Sequence, residues 1–255
     1  KGRGPAIVFI HGVGLDKTMW SRQVESFEKS FQVIVYDMLG HGVSPHPPGS
    51  RSLEEFVLQL YHLIRKHHLK KTILVGFSMG GLVAREFAIR YPTMVSELVL
   101  LNTVFNRNES QQKAVMARYV KTRQEGILNQ VDTSIERWFS KNFQNDNYEI
   151  IDMVKRRLKQ NDRLGYLEAY KVFSMKEIKN GSLPIKCPTL IVTGQFDAGS
   201  TPEMAIKLGD AIKFSSVEVL QGILHMSPIE GAEKFNKMLF GFLMKSYNVQ
   251  LIDCL

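Results

Sequence analysis

Residues 72–91 read Thr-Ile-Leu-Val-Gly-Phe-Ser-Met-Gly-Gly-Leu-Val-Ala-Arg-Glu-Phe-Ala-Ile-Arg-Tyr, which combine a strand pattern, a glycine-rich turn and a helix pattern. The β-branched run at 72–75 predicts a short strand, and apolar residues at helical spacing from Leu82 onward predict a helix directly after it. Between them, Ser78 lies between glycines at a strand-to-helix turn, the pattern of a nucleophile elbow. Glycines suit so tight a turn because a Cβ atom would collide with neighbouring backbone. The stretch therefore predicts a serine hydroxyl above the amino end of a helix, where negative charge is stabilised; an ordinary glycine-rich turn is the alternative.

Five further apolar stretches have the length and composition of buried strands, and helical patterns separate most of them. They lie at residues 6–10, 33–36, 98–101, 189–193 and 216–220. Such alternation predicts an α/β fold with a mostly parallel, doubly wound sheet and helices on both faces. Ligands bind at the carboxyl ends of the strands in sheets of this kind. We expect a shared site there, because four residues follow strand ends: His11, Asp37, Ser78 and Asn102.

Residues 103–180 interrupt the alternation of strands and helices. They are mostly helical in pattern, charged, and punctuated by Gly126 and Gly165. We interpret this segment as a helical cap inserted after one strand and lying over the site. The predicted organisation is one α/β core, formed by residues 1–102 and 181–255, with the cap formed by residues 103–180. No repeat or low-complexity tract indicates another domain.

The composition is that of an ordinary globular protein, with 44% hydrophobic and 23% charged residues among 255. No apolar run approaches the roughly 18 residues needed to span a bilayer, so we expect no membrane partner and a cytoplasmic location. Because the chain starts at Lys1, a removed N-terminal signal stays open as an alternative. Cys187 and Cys254 form neither a disulfide framework nor a metal motif, and both are predicted to be free thiols.

The formal net charge of +8 is moderate, and the basic residues are dispersed along the chain. No Lys/Arg run alternates with aromatic residues, so a nucleic-acid partner is not expected. The densest cluster, residues 155–157, is typical of a solvated helix face. Residues 103–180 contain 15 basic and 10 acidic residues, an excess of 5 positive charges that is compatible with an anionic substrate.

The base that a serine nucleophile needs is predicted to be His225. A serine hydroxyl is weakly nucleophilic at neutral pH and requires a positioned base. In this sheet architecture the order along the chain is serine, acid, histidine. Of the seven histidines only His225 follows Ser78, and it lies in the loop after the last predicted strand. A surface or hydrogen-bonded core histidine is the alternative.

The acid is predicted to be Asp197, which follows the strand at 189–193. The other position that carries the acid in such folds is the end of the strand after the serine, but Asn102 stands there and supplies no charge. Asp210 and Glu218 lie inside a predicted helix and strand, where we expect them to face solvent. Asp197 would hold the imidazole tautomer and stabilise the imidazolium.

An oxyanion hole requires two backbone N–H groups that point at one position. One is expected from Met79, the residue after the serine, and the other from the loop after the first strand, at Val13. A plain turn at His11-Gly12 is the alternative.

Taken in order, five motifs resemble the landmarks of the α/β-hydrolase superfamily over nearly the whole chain. They are His11-Gly12-Val13-Gly14, Asp37 with Gly40 to Ser44, Gly76 to Gly81, Gly194 to Asp197, and Gly222 to His225. Gly-Phe-Ser-Met-Gly-Gly and Glu136-Arg137-Trp138-Phe139 are similar to the branch of 3-oxoadipate enol-lactonases, small carboxylesterases and cofactor-free haloperoxidases. The resemblance implies that Trp138 faces the substrate; an aromatic side chain that packs cap helices together is the alternative.

Three features depart from the superfamily pattern. Leu39 stands where many relatives carry arginine, and the usual strand hairpin before Ala6 is not visible. Phe77 precedes the serine where carbon–carbon bond hydrolases usually have asparagine, which argues against that activity. No predicted catalytic residue comes from the missing strand hairpin before Ala6.

Residues and resemblance together predict a serine hydrolase that cleaves a small carboxylic ester or lactone through an acyl-enzyme on Ser78, Asp197 and His225. No flavin, nicotinamide or metal motif is visible, so we expect no cofactor and no bound metal. Three alternatives remain: a small-molecule receptor with slow hydrolysis, a cofactor-independent oxygenase and a carbon–carbon bond hydrolase. The oligomeric state is left open.

Overall fold

A computed structural model describes residues 1–175 and 181–252, with side chains described up to residue 245. Six parallel strands form one sheet in the order β2-β1-β3-β4-β5-β6. Their bounds are β1 Ala6–Ile10, β2 Gln32–Tyr36, β3 Thr72–Phe77, β4 Val95–Leu101, β5 Thr189–Gly194 and β6 Ser215–Leu220. All six predicted strands are present, and the α/β prediction is confirmed.

Helices cover both faces of the sheet. In the part of the chain with described backbone they are α1 Ser21–Phe27, α2 Leu53–Lys66, α3 Met79–Arg90, α4 Glu109–Glu125, α5 Val131–Trp138, α6 Lys141–Asp146, α7 Tyr148–Lys159, α8 Arg163–Ser174, α9 Pro202–Asp210, α10 Ser227–Glu230 and α11 Ala232–Ile252. Helices α4 to α8 lie between β4 and β5, within the segment expected to form a cap; we call residues 109–174 the α4–α8 segment.

The central strands separate two hydrophobic cores. Strand β1 is buried along its whole length, as a parallel strand covered on both faces should be. Because successive side chains of a strand point to opposite faces, Val8 joins one core and Phe9 the other. Because both faces of the sheet are buried, the carboxyl ends of the strands are held at fixed positions, and so are the starts of the loops that follow them.

The order of the strands places a switch point between β1 and β3. The chain passes from β1 outward to β2 and then returns to β3 on the other side of β1. The loops that follow β1 and β3 therefore diverge and leave a crevice between them, the usual ligand position in such sheets. Only the first residues after the two strands are close together: a Cβ atom on Gly12 would lie 3.1 Å from Cβ of Ser78.

The sequence pattern also predicts helices over residues 18–27 and 229–247, and the structure differs from the pattern at both. The helix expected at 18–27 is a 3-10 turn at Lys17–Trp20 followed by α1, and the Asp16 side chain caps that turn by accepting from the Thr18 N–H at 2.9 Å. The helix expected at 229–247 is divided at Gly231, where φ is −104° and ψ is 25°. This break gives a short α10 directly after the loop that carries His225.

Cys187 is a free, buried thiol, and burial raises its pKa to about 11, so the thiol is protonated at neutral pH. The other cysteine, Cys254, lies outside the described residues. Across residues 1–175 and 181–252, none of the helices has the length and apolar character required to cross a bilayer.

Candidate active site

The turn between β3 and α3 has a strained backbone at Ser78, at the position predicted for the nucleophile elbow. Ser78 has φ 54° and ψ −116°, in a region that residues with a side chain rarely adopt. A Cβ atom on Gly76 would lie 2.3 Å from the Gly80 carbonyl oxygen, and one on Gly80 would lie 2.3 Å from the Ile10 carbonyl oxygen. Both glycines are therefore sterically required, as the sequence predicted.

Neighbouring strands hold the strained serine in place. The Ser78 N–H donates to the Leu101 carbonyl at 2.8 Å, and the Ser78 carbonyl accepts from the Thr103 hydroxyl at 2.8 Å. The residue is only 6% exposed and lines a cavity above the sheet. Two hydrogen bonds at the end of β4 thus fix the peptide units on both sides of the Ser78 Cα.

His225 and Asp197 form a buried pair at the same edge of the sheet. The Nδ1 atom of His225 lies 2.7 Å from Oδ2 of Asp197. The other carboxylate oxygen, Oδ1, accepts the N–H groups of Gly199 and Ser200, each at 2.9 Å. An ionised carboxylate only accepts hydrogen bonds, so Nδ1 carries the proton and Nε2 is left as the acceptor.

The Asp197 carboxyl is kept ionised although it is almost completely buried. Burial alone raises its pKa, but the charge and hydrogen bond of His225, together with further hydrogen-bond donors, outweigh it and hold the pKa below 3.8. The carboxylate is thus a fixed negative charge beside the imidazole at neutral pH.

Asn102 contacts Asp197, which the sequence did not predict. The sequence places it at a strand end within the expected shared site, as an uncharged residue in the alternative acid position. Its side-chain amide donates to Oδ2 of Asp197 at 2.9 Å, and Asn102 is fully buried, with φ 47°. The side chain at the end of β4 thus supplies a hydrogen bond to a carboxylate that follows the neighbouring strand β5.

The loop after β1 is braced on both sides of Val13. The Gly14 N–H donates to Nε2 of His41 at 3.0 Å, and the Leu15 N–H donates to the Gly12 carbonyl at 3.3 Å. Val13 lines the cavity that contains Ser78. Met79 is the first residue of α3, so its N–H has no acceptor within the helix. The side chain of Met79 is buried in the core.

His11 and His41 support this loop as neutral hydrogen-bond acceptors. The Nε2 atom of His11 accepts the Met38 N–H at 2.8 Å, and the two imidazole rings meet edge to face at 5.2 Å. Burial lowers the pKa of His11 to about 4 and that of His41 to about 3. Neither ring lines the cavity, so these histidines act on the loop and not on a ligand.

Asp37 also lies outside the cavity, which corrects the expectation that it shares the site. Its carboxylate pairs with the Lys17 ammonium at 2.9 Å and accepts N–H groups of Lys17 at 2.8 Å and Val43 at 3.1 Å. Burial raises the pKa of Asp37, but the opposing effect of these partners is larger, so the pKa lies below the ordinary value. Asp37 therefore connects the loop after β1, through Lys17, to the loop after β2, through Val43, outside the lining of the cavity.

A cavity of about 220 Å³ opens onto Ser78 and His225. Four of the predicted site residues named so far line it: Val13, Ser78, Asp197 and His225. Trp138 lines it as well. Its ring lies 6.2 Å from the His225 imidazole, and the Met226 N–H donates to the Trp138 carbonyl at 3.0 Å. The hydrogen bond joins α5 to the loop of His225, so the α4–α8 segment forms one wall of the cavity.

No set of three or more His, Cys, Asp or Glu side chains within the described residues has the arrangement to hold a metal ion.

A family model described as alpha/beta hydrolase fold matches residues 5–232. The chain therefore belongs to the α/β-hydrolase family, which confirms the resemblance seen in the ordered motifs.

Individual relatives share this fold over nearly their full length. The chain is 32% identical over 246 residues to (E)-2-((N-methylformamido)methylene)succinate hydrolase of Acinetobacter baylyi, covering 95% of this chain and 92% of the relative. It is 28% identical to 3-oxoadipate enol-lactonase 2 of the same organism, with coverage of 96% and 90%. The crystal structure of the enol-lactonase from Burkholderia xenovorans LB400 superposes with a TM-score of 0.89 at 28% identity, covering 95% of this chain and 92% of that one.

Proposed function

We propose that this protein is a serine hydrolase that cleaves a small carboxylic ester or lactone through an acyl-enzyme. Ser78 is the nucleophile, His225 the general base and acid, and Asp197 the residue that orients and stabilises the histidine. The observation that carries the proposal is the convergence of a strained serine and a buried His225–Asp197 pair, with Nδ1 2.7 Å from Oδ2, on one cavity.

The reaction begins when Ser78 Oγ attacks the carbonyl carbon and Nε2 of His225 takes the hydroxyl proton. Collapse of the tetrahedral intermediate breaks the bond to the alcohol oxygen, which receives that proton from His225. Water then attacks the acyl-enzyme, again deprotonated by His225, and the acid leaves as Ser78 recovers its proton. For a lactone the alcohol stays attached to the acyl chain, so the product is a single hydroxy acid.

The N–H groups of Val13 and Met79 stabilise the oxyanion. The Met79 N–H lies at the amino end of α3, where the helix dipole favours negative charge. The Val13 N–H is presented by a loop whose neighbouring N–H groups, at Gly14 and Leu15, are already committed to protein acceptors. A preorganised donor pair of this kind lowers the barrier most when it is fixed before the charge develops.

The α4–α8 segment acts as a cap that limits the size of the substrate, and Trp138 forms part of the acyl-binding wall. A cavity of about 220 Å³ is smaller than the roughly 300 to 1,000 Å³ of sites for drug-sized ligands. We assign the enzyme a short-chain substrate for this reason. The names of its relatives, a succinate-derivative hydrolase and enol-lactonases, support a small, acidic ester or lactone.

The proposal is tested by hydrolysis of p-nitrophenyl acetate and a panel of short esters and lactones. Ser78→Ala should reduce turnover by a factor on the order of 10⁶, because it removes the group that forms the covalent bond. Near-normal hydrolysis by a folded Ser78→Ala protein would exclude the mechanism. Ser96→Ala, at a partly buried serine of β4, is the matched control and should retain activity.

A further inference from the structure

Two arginines of the α4–α8 segment face the cavity that holds Ser78. Arg118 comes from α4 and Arg137 from α5, and both line the cavity. Arg137 immediately precedes Trp138, whose ring lies 6.2 Å from His225. The two guanidinium groups are thus on the cap side of the cavity, opposite the sheet edge that supplies the nucleophile and base.

Neither guanidinium has an anionic partner among the side chains that the structure describes. Within residues 1–175 and 181–252, no carboxylate lies within salt-bridge distance of Arg118 or Arg137, and the Nε atoms of both are buried without a hydrogen-bond acceptor. The one short-range acceptor described for Arg137 is the Ser134 hydroxyl, at 3.4 Å. Two partly buried positive charges left uncompensated in a cavity are costly unless a ligand supplies the counter-charge.

Electrostatics in the cavity favour an anion. Burial lowers the pKa of Arg137, and repulsion by Arg118 lowers it further, yet arginine stays charged at any physiological pH. Among the described residues that line the cavity, Asp197 is the only carboxylate, and its oxygens are already engaged by His225, Asn102 and two backbone N–H groups. The field that a substrate meets above Ser78 is therefore positive.

A third arginine, Arg107, also lines the cavity, but its guanidinium contacts an aromatic ring of the protein. Its guanidinium lies over the Phe173 ring, 4.6 Å from the centroid. This cation–π contact gives it a stabilising partner within the protein. Arg118 and Arg137 are therefore the pair of cavity-lining arginines whose charge is not balanced by a described carboxylate.

We infer that Arg118 and Arg137 bind a carboxylate of the substrate that is separate from the scissile ester or lactone carbonyl. The inference deepens the proposed hydrolase function and rests on it. Planar guanidinium groups match the two oxygens of a carboxylate with paired, charge-assisted hydrogen bonds. Their place on the cap side orients the free carboxylate away from Ser78, so that the other end of a short acyl chain reaches the nucleophile. The preferred substrate is then a half-ester of a short dicarboxylic acid, or a lactone that carries a carboxylate.

The test compares two esters of the same length, p-nitrophenyl hydrogen glutarate and p-nitrophenyl valerate, which differ in a terminal carboxylate against a methyl group. Wild-type enzyme should prefer the glutarate ester. Arg118→Gln and Arg137→Gln should each lower kcat/KM for that ester by about 10- to 100-fold, mainly through KM, and change the valerate ester by less than about 3-fold. Arg137→Lys should restore part of the loss, because charge is kept but the paired geometry is not.

Arg123→Gln is the matched control, because Arg123 lies on the same helix α4 but is exposed. It should leave both esters unaffected. A wild-type enzyme that prefers the valerate ester, or arginine variants that lose both esters equally, would overturn the carboxylate site while leaving the serine mechanism intact.

Direct binding separates this proposal from the hydrolase mechanism. Calorimetric titration of Ser78→Ala protein with glutarate should show binding that Arg118→Gln and Arg137→Gln each weaken, with no hydrolysis required. Glutarate binding that is equal in the arginine variants would overturn the site. Tighter binding of inorganic phosphate than of glutarate would overturn its assignment to a carboxylate. Arginine-dependent glutarate binding in a protein that hydrolyses neither ester would support the anion site and count against the proposed reaction.

Discussion

The side-chain amide of Asn102 donates a 2.9 Å hydrogen bond to Oδ2 of Asp197, the same oxygen that lies 2.7 Å from Nδ1 of His225. Asn102 ends β4 and Asp197 follows β5, and these two strands are neighbours in the sheet. The amide therefore fixes the carboxylate from the side opposite the backbone N–H groups of Gly199 and Ser200. We expect the orientation of His225 to depend on this second strand end as well as on Asp197.

Asn102→Leu should lower kcat by about 10-fold and leave KM nearly unchanged, because the carboxylate loses a donor but the cavity keeps its walls. The loss of a hydrogen bond to the charged form should also raise the pKa of Asp197. Steady-state kinetics with a p-nitrophenyl ester measure the first effect. A rise in KM with unchanged kcat would show that Asn102 acts on substrate binding and not on the acid. Asn106→Leu, which makes the same replacement at another positive-φ asparagine, is the comparison.

Gly80→Ala should prevent the elbow from forming. The added Cβ would lie 2.3 Å from the Ile10 carbonyl oxygen and 2.6 Å from that of His11, in backbone that two packed cores hold rigid. We expect destabilisation by more than about 3 kcal/mol, measured by urea unfolding, or failure to fold.

Gly241→Ala is the control for that substitution. Gly241 is exposed on α11, and an added Cβ would meet nothing within 4 Å. Replacement in a helix should leave stability unchanged or raise it by about 1 kcal/mol. Equal stability of the two variants would contradict the steric account of the elbow.

Stability should fall below pH 6.5 because of His11 and His41. Their pKa values of about 4 and about 3 in the folded protein lie below the ordinary 6.5 of an unfolded chain. The unfolded state therefore binds more protons as the pH falls below 6.5, and the free energy of unfolding decreases down to about pH 4 for His11 and about pH 3 for His41. Above 6.5 both states are neutral at these groups and the contribution is constant. His11 alone accounts for a decrease on the order of 3 kcal/mol at pH 4.

Urea unfolding of wild type and His41→Gln across this window measures the effect. A glutamine carbonyl still accepts the Gly14 N–H but does not titrate, so the variant should show a smaller decrease in stability on acidification. Parallel curves for the two proteins would contradict the assignment to His41.

Trp138→Ala should lower kcat/KM by about 10-fold, since the indole forms a wall 6.2 Å from the His225 ring and its removal opens the cavity to water. The main-chain bond from Met226 to residue 138 does not depend on the side chain, so the loop of His225 should keep its position. Trp138→Phe keeps an aromatic wall and should retain most activity. Unchanged kinetics for Trp138→Ala would indicate that the ring only packs the cap helices.

The strands, and the principal residues of the candidate site, could be proposed from the sequence because each leaves a local signal. A strand buried on both faces reads as a continuous apolar run, as in β1, and a tight elbow requires glycines at fixed spacing around Ser78. Chain order singled out His225 because it is the only histidine after the serine. These signals depend on neighbours in sequence or on topology, which the pattern of strands already implies.

Contacts across the fold leave no such signal. Asn102 reaches Asp197 over 95 residues, and the sequence showed an uncharged residue without indicating that its amide would serve the acid. Asp37 follows a strand end, as Ser78 and Asn102 do, but its carboxylate binds Lys17 and the Val43 N–H and does not line the cavity. Arg118 and Arg137 come from two helices whose mutual orientation depends on packing, so their shared cavity became visible only in three dimensions.

Labelling with a fluorophosphonate followed by peptide mapping identifies the nucleophile. The reagent should attach one phosphonyl group to Ser78, and both Ser78→Ala and His225→Ala should abolish or greatly slow the labelling, because the serine needs the base to react. Attachment to a residue other than Ser78, or labelling of folded Ser78→Ala at the wild-type rate, would contradict the account.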